Sequence, residues 1–162
     1  MLLVRDLPVA ALRALLGRFS LGLVVEAPGQ AITGSFWGDS EAGIVANNVY
    51  VRPDTPIHSV LHETCHTICM DATRRAALAR DAGGDDLEEC AVCYLQILLA
   101  DNIDGVGRER LMRDMDSWGY SFRLGTTAAW FASDADDALH WLQARGLVDG
   151  AGMPTFALRR GV

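Results

Sequence analysis

The spacing of apolar positions along the chain changes several times, and each change marks an element. Ala11, Leu12, Leu15 and Leu16 recur at helical spacing. Asp6 and Pro8 supply a cap and a first-turn proline for that helix, and Gly17 or Gly22 ends it. The helical period then disappears. LGLVVEA, AITGSFW and GIVANNVYV are short stretches rich in β-branched and aromatic residues, punctuated by Pro28-Gly29 and Gly38-Asp39. They predict three antiparallel strands. In the third, Val45, Val49 and Val51 alternate with Ala46, Tyr50 and Arg52, as in a half-buried strand.

The helical period returns after Asp54-Thr55-Pro56, a cap followed by a proline. The helix that starts there carries HSVLHETCHTICM and ends near Asp71, or runs on through ATRRAALAR. Gly83-Gly84 breaks the chain. Asp85 or Asp86 then caps DLEECAVCYLQILLA, whose apolar density implies burial. Two more helices are predicted, near Arg108 to Trp118 and from Ser133 to Arg145. Ser133 and Asp134 open the second, and Gly146 closes it. Without repeats, low-complexity tracts or linkers, residues 1–162 are expected to form a single domain of α+β class.

Composition narrows the function. A chain of 162 residues, 50 % apolar and 22 % charged, can bury one real core. Its net charge of −7 argues against nucleic acid as a partner, because phosphate binding needs a basic face. All 14 basic residues are arginine, which excludes every lysine-dependent mechanism. The apolar start, MLLVRDLPVAALRALLGRF, has charges spread through it, unlike a signal peptide. No apolar run approaches the roughly 20 residues needed to cross a bilayer. The expectation is a cytoplasmic protein with no membrane partner, in which Cys65, Cys69, Cys90 and Cys93 are reduced thiols or metal ligands.

The chemistry concentrates at His62-Glu63-Thr64-Cys65-His66, an H-E-x-x-H match. Residues four apart on a helix lie one turn above each other, so two imidazoles can grip one zinc ion. The glutamate after the first histidine is placed to take a proton from a water at the metal. A catalytic zinc needs a third protein ligand. The longer H-E-x-x-H-x-x-G-x-x-H form is absent, since Cys69 and Ala72 stand at its last two marked positions. A glutamate on the following helix is the other common solution. Glu88 shares a face with Val92, Leu95 and Leu99, while Glu89 sits about a quarter turn away. A carboxylate on an inward apolar stripe is costly unless a cation pairs with it, and zinc would. Glu88 is therefore the expected third ligand. Glu89 is the alternative, and Cys65 or Cys69 would instead give a more closed site.

HExxH on one helix, a glycine-containing loop and E-x-x-A on the next resemble the glutamate-zincin metallopeptidases. The likeness is nearest to the ImmA/IrrE-like zinc peptidases, whose second helix reads approximately E-x-x-A-N-x-F-A-x-x-L-L. The same register here gives Glu88, Ala91, Val92, Tyr94, Leu95, Leu98 and Leu99, with Val92 and Leu95 departing from asparagine and alanine. NNVYVRPDTPIHSVLHETCH resembles that family's edge strand leading into its active-site helix, so the likeness covers roughly residues 43 to 100. It implies a zincin-like fold with a small antiparallel sheet, and a zinc-dependent peptidase acting on a peptide or protein. His62, His66 and Glu88 would hold the metal and Glu63 would be the general base. The strand around Val45 to Val51 would offer an unpaired edge to an extended substrate. A zinc-containing regulatory or structural domain that keeps the motif without cleaving efficiently is the second function class.

Other residues keep open roles at this level. Tyr120 and His140 are candidate oxyanion donors. His58, one turn before His62, either approaches the metal from its rim or faces solvent. Cys90 and Cys93 form a C-x-x-C inside a helix, which suits buried thiols better than a zinc knuckle.

Overall fold

The first predicted helix forms with its expected face inward: α1 spans Val9–Gly17 and buries Leu12, Leu15 and Leu16. This is a computed structural model that describes residues 1–35, 39–79 and 82–161. Pro8 alone precedes α1, because Asp6 caps an earlier 3-10 turn over Val4–Asp6 by accepting from Leu3 N–H at 2.9 Å.

The sheet departs from expectation. Strands β1 (Gly22–Val25), β2 (Gly43–Val45) and β3 (Asn48–Val51) lie in the order β1-β3-β2, with β1 parallel and β2 antiparallel to β3. The sheet is mixed, and GIVANNVYV is a hairpin instead of one strand. Its two-residue turn starts at Ala46, whose φ of 51° is the left-handed backbone such turns require. Across the turn Ile44 pairs with Val49, so the buried parity flips, which no single strand can do. The alternation read from the sequence ran straight through that flip. Within AITGSFW the described residues 31–35 form no strand, and Phe36, Trp37 and the neighbouring Gly38 lie outside the described residues.

The expected unpaired edge along Val45 to Val51 is also corrected. β3 is the central strand and is paired on both sides. β2 is at the edge, where Ile44 N–H donates to Gly34 O at 3.3 Å and Ala46 N–H to Leu78 O at 3.1 Å just past the strand.

Helix α2 (Ile57–Cys69) runs through the core. Every residue of it is buried except His62 and Glu63. It stops at Met70, where ψ turns to 151°. Asp71 then caps a separate short helix, α3 (Ala72–Ala76), by accepting from Arg74 N–H at 2.9 Å. Of the possible continuation through ATRRAALAR, Arg80 lies outside the described residues.

Helix α4 (Asp86–Ala100) follows, capped by Asp85, whose carboxylate accepts from Glu88 N–H at 2.8 Å. α5 spans Gly107–Trp118 and ends at Gly119, with φ 115°. α6 (Thr127–Ser133) was not expected; Thr126 caps it. α7 is consequently shorter than the predicted element, Asp136–Ala144, with Ser133 closing α6 rather than opening α7.

α4 is the hub, packed against α2, α5 and α7. The C-terminal segment returns to the end of α2. There Arg159 N–H donates to Ile68 O (3.0 Å) and its Nη1 to Cys69 O (3.1 Å), while Arg75 donates to Thr67 O and Met70 O. Two guanidiniums thus satisfy the open carbonyls of the helix that carries the motif, where the helix dipole favours positive charge. Among the described residues, no helix is long and apolar enough to cross a membrane.

Candidate metal centre

The helical register of α2 brings His62 and His66 one turn apart on one face. Their rings are nearly perpendicular, with centroids 4.6 Å apart, and their Nε2 atoms are 3.1 Å apart. From α4 the carboxylate of Glu89 closes a triangle. Its Oε1 lies 3.0 Å from His62 Nε2 and its Oε2 lies 3.0 Å from His66 Nε2. Among the described residues this is the one group of three or more His, Cys, Asp or Glu side chains whose ligand atoms all come within 4.8 Å.

These side chains suit a divalent cation. Gln96 is fully buried on α4, and its Nε2 donates to His58 O at 3.2 Å. That orientation aims Gln96 Oε1 at His62 Nδ1, 2.7 Å away, so His62 must carry a proton there. Its Nε2 lone pair then faces His66 Nε2 and a carboxylate oxygen. Two ring nitrogens and the two oxygens of one carboxylate at about this separation need a shared positive charge between them. A tetrahedral ion at the usual zinc–ligand distances spaces its ligands by about 3.3 Å, close to what is found here. Protons are the other way to supply the charge. Burial opposes a charged His62, but Tyr120, Cys93 and Glu89 around it hold its pKa well above the ordinary histidine value.

Glu88 is not in the triangle, which corrects the expectation that it is the third ligand. It is buried as predicted, on the stripe with Val92, Leu95 and Leu99. Its carboxylate, however, is taken by two arginines: Arg74 donates to both oxygens (2.9 and 2.7 Å) and Arg159 to Oε1 (3.1 Å). Gly84 makes room for this cluster. With φ at 97°, it sits where a Cβ would run into the Glu88 carboxylate. The buried carboxylate did need a cation, and arginine provides it.

The cysteines stay outside the triangle. Cys65, Cys69 and Cys93 are buried and Cys90 is half-buried, all as free thiols. Burial pushes the Cys65 and Cys69 thiols well above their ordinary range, as expected for packing residues rather than ligands. Cys93 lies beside His62, but its sulfur does not join the group.

Glu63 occupies the solvent-reaching position next to His62. Burial raises its carboxyl pKa; His62 and His66 oppose this, and Glu89 adds to it. His58 neither ligates nor faces solvent. It is 1 % exposed, with Nδ1 at 3.1 Å from the Tyr120 hydroxyl and its ring against Trp118. Of the two candidate donors, Tyr120 stands at the site, its ring 5.7 Å from that of His62. His140 is exposed on α7 and has no bond to the cluster among the described residues.

Gln96 escaped the sequence reading. Its signal was a stripe of non-aliphatic residues, Glu89, Cys93 and Gln96, at helical spacing on an otherwise apolar helix. No family model, no curated protein and no solved structure matches this chain.

Proposed function

We propose that this protein is a zinc-dependent hydrolase of peptide bonds in which His62, His66 and Glu89 hold the metal and Glu63 is the general base. The observation that carries this reading is the convergence of the two Nε2 atoms and the Glu89 carboxylate at 3.0–3.1 Å beside Glu63. His62 and Glu63 are also the two places where α2 reaches solvent, so substrate can meet the base and the metal position together. With three protein ligands and no thiolate among them, the set resembles open catalytic zinc sites more than closed structural ones.

When bound, zinc polarises a carbonyl and brings the pKa of water close to neutrality. The chain's own residues do the rest. Gln96 fixes the ring and tautomer of His62, as outer hydrogen-bond partners of metal-binding histidines commonly do. Glu63 takes the proton from the water that attacks the substrate carbonyl, then passes it to the nitrogen released as the C–N bond breaks.

The test is zinc analysis and peptide-library cleavage for the wild-type chain and for Glu63→Gln. The expected result is about one zinc per chain in both, with cleavage confined to the wild type. A zinc-loaded wild type that cuts nothing beyond what Glu63→Gln cuts would overturn the reading.

A further inference from the structure

We propose that the end of α7 and the chain segment around Arg159 form a binding site for a phosphate group, free or esterified, held by Arg145, Arg159 and Arg160. It is a second site, outside the metal centre, and does not depend on the hydrolase reading.

Two cavities of about 320 and 430 Å³ open beside the Glu88 cluster, and Arg145 and Arg159 line both. Arg74, Asp85, Glu88 and Trp141 also line the smaller one, while Arg160 joins the larger. Four guanidiniums are thus gathered with two carboxylates, in a chain whose net charge is −7. Both carboxylates are already engaged. Glu88 accepts from Arg74 through both oxygens and from Arg159, and Asp85 is the cap of α4. The surplus positive charge falls to Arg145 and Arg160, which have no carboxylate within ion-pair distance among the described residues.

Trp141 holds two of these groups close together. The guanidinium carbon of Arg145 lies 3.9 Å from the centroid of this buried ring, and that of Arg159 lies 5.2 Å from it. Burial, and then the charge of Arg159, lower the Arg145 pKa; Glu88 and Asp85 act against this without cancelling it. Arg159 cannot swing away to relieve the repulsion, because its Nη1 is fixed by Cys69 O and Glu88 Oε1, each at 3.1 Å. Its other N–H groups bond to no described residue. They are not sealed either, since the sealed and unpartnered side-chain nitrogens are His58 Nε2 and His66 Nδ1. These donors therefore open on the cavities. Guanidinium forks suit oxyanions, which accept two charge-assisted bonds from each fork. A surplus of two positive charges matches a phosphate dianion better than a lone carboxylate. The larger cavity, walled by Ala144, Gly146, Ala157 and Gly161, leaves room for an esterified body.

An NMR titration with sodium phosphate tests this on the zinc-free full chain, where no metal can capture the anion. Saturable shifts are expected at the Trp141 indole N–H and the Arg145 Nε–H. Arg145 is exposed, and Arg145→Gln should weaken binding roughly tenfold or more. Arg160→Gln should weaken it as well, whereas Arg113→Gln, at an exposed position on α5, should leave it unchanged. Shifts that sodium chloride reproduces at equal ionic strength would overturn the proposal. So would phosphate affinity that survives both Arg145→Gln and Arg160→Gln. Phenyl phosphate separates the two sources: tighter binding than inorganic phosphate assigns the site to an ester, and equal binding assigns it to the free ion.

Discussion

Two adjacent glutamates at the start of α4 face opposite environments. The Glu89 side chain is 49 % exposed and meets two imidazoles; that of Glu88 is 5 % exposed and meets two guanidiniums. The half-exposed pair adds little to folding, since such pairs contribute about 0–1 kcal/mol. Breaking the buried cluster is far costlier, because its arginines would be left without a counter-charge. Stability therefore accounts for Glu88 more fully than for Glu89, in keeping with the ligand role proposed for Glu89. The contrast also shows that burial of a carboxylate identifies the need for a cation without saying which cation answers it.

The largest effect should separate the two residues by metal affinity. Glu89→Ala is expected to weaken zinc binding by more than the roughly 10–100-fold typical of losing an outer-shell partner. Glu88→Ala, measured as folded protein, should stay within about tenfold of wild type. Equilibrium competition with a chelator reads both. If folded Glu88→Ala loses zinc as completely as Glu89→Ala, the two-sided description of α4 is wrong.

Stability should rank them in reverse. Removing the Glu88 carboxylate leaves the buried Arg159 and the partly buried Arg74 without their shared counter-charge, a loss of about 3–5 kcal/mol for a broken buried pair. Denaturant melts of the zinc-free proteins should show this for Glu88→Ala and a change of less than about 1 kcal/mol for Glu89→Ala. Comparable losses would mean that Glu89 is part of the fold's own stabilisation.

Much of this arrangement was legible in the sequence. The α+β class, the start of α2 beside its proline, the Asp85 cap and the inward stripe of α4 followed from local pattern, although the cap expected before Pro56 does not form and Pro56 itself stands at the N-cap. The His62–Glu63–His66 spacing alone implied a helix face for the motif. What could not be read was which neighbour each face of α4 meets. α4 contacts three helices, so its apolar stripe and the Cys93 and Gln96 positions of its polar stripe both point inward, and periodicity does not rank them. The cation for Glu88 comes partly from Arg159, which lies 71 residues away near the chain's end. The sheet failed for a similar reason: a two-residue turn reverses the chain without breaking a run of apolar residues. A local pattern sees its own period and not its partner.

A subtler test lies on the metal-facing flank. Gln96→Leu keeps the volume of a buried side chain but removes the acceptor at 2.7 Å from His62 Nδ1. Zinc affinity should fall by roughly 10–100-fold, the usual cost of an outer-shell partner. An unchanged affinity would show that His62 is oriented by packing alone.

The smallest effect belongs to the other flank, where Asp85 caps α4 through Glu88 N–H at 2.8 Å. That bond satisfies one of the open N–H groups at the helix start, and Asp85→Ala should cost about 1 kcal/mol of stability. Because the cap fixes the first turn on the clamp side, the ion pairs of Glu88 hold α4's rotation without it, and Glu89 keeps its aim. Zinc affinity should therefore be unchanged while the denaturation midpoint falls. A drop in both would show that the first turn of α4, and not the buried arginine cluster, sets the direction of Glu89.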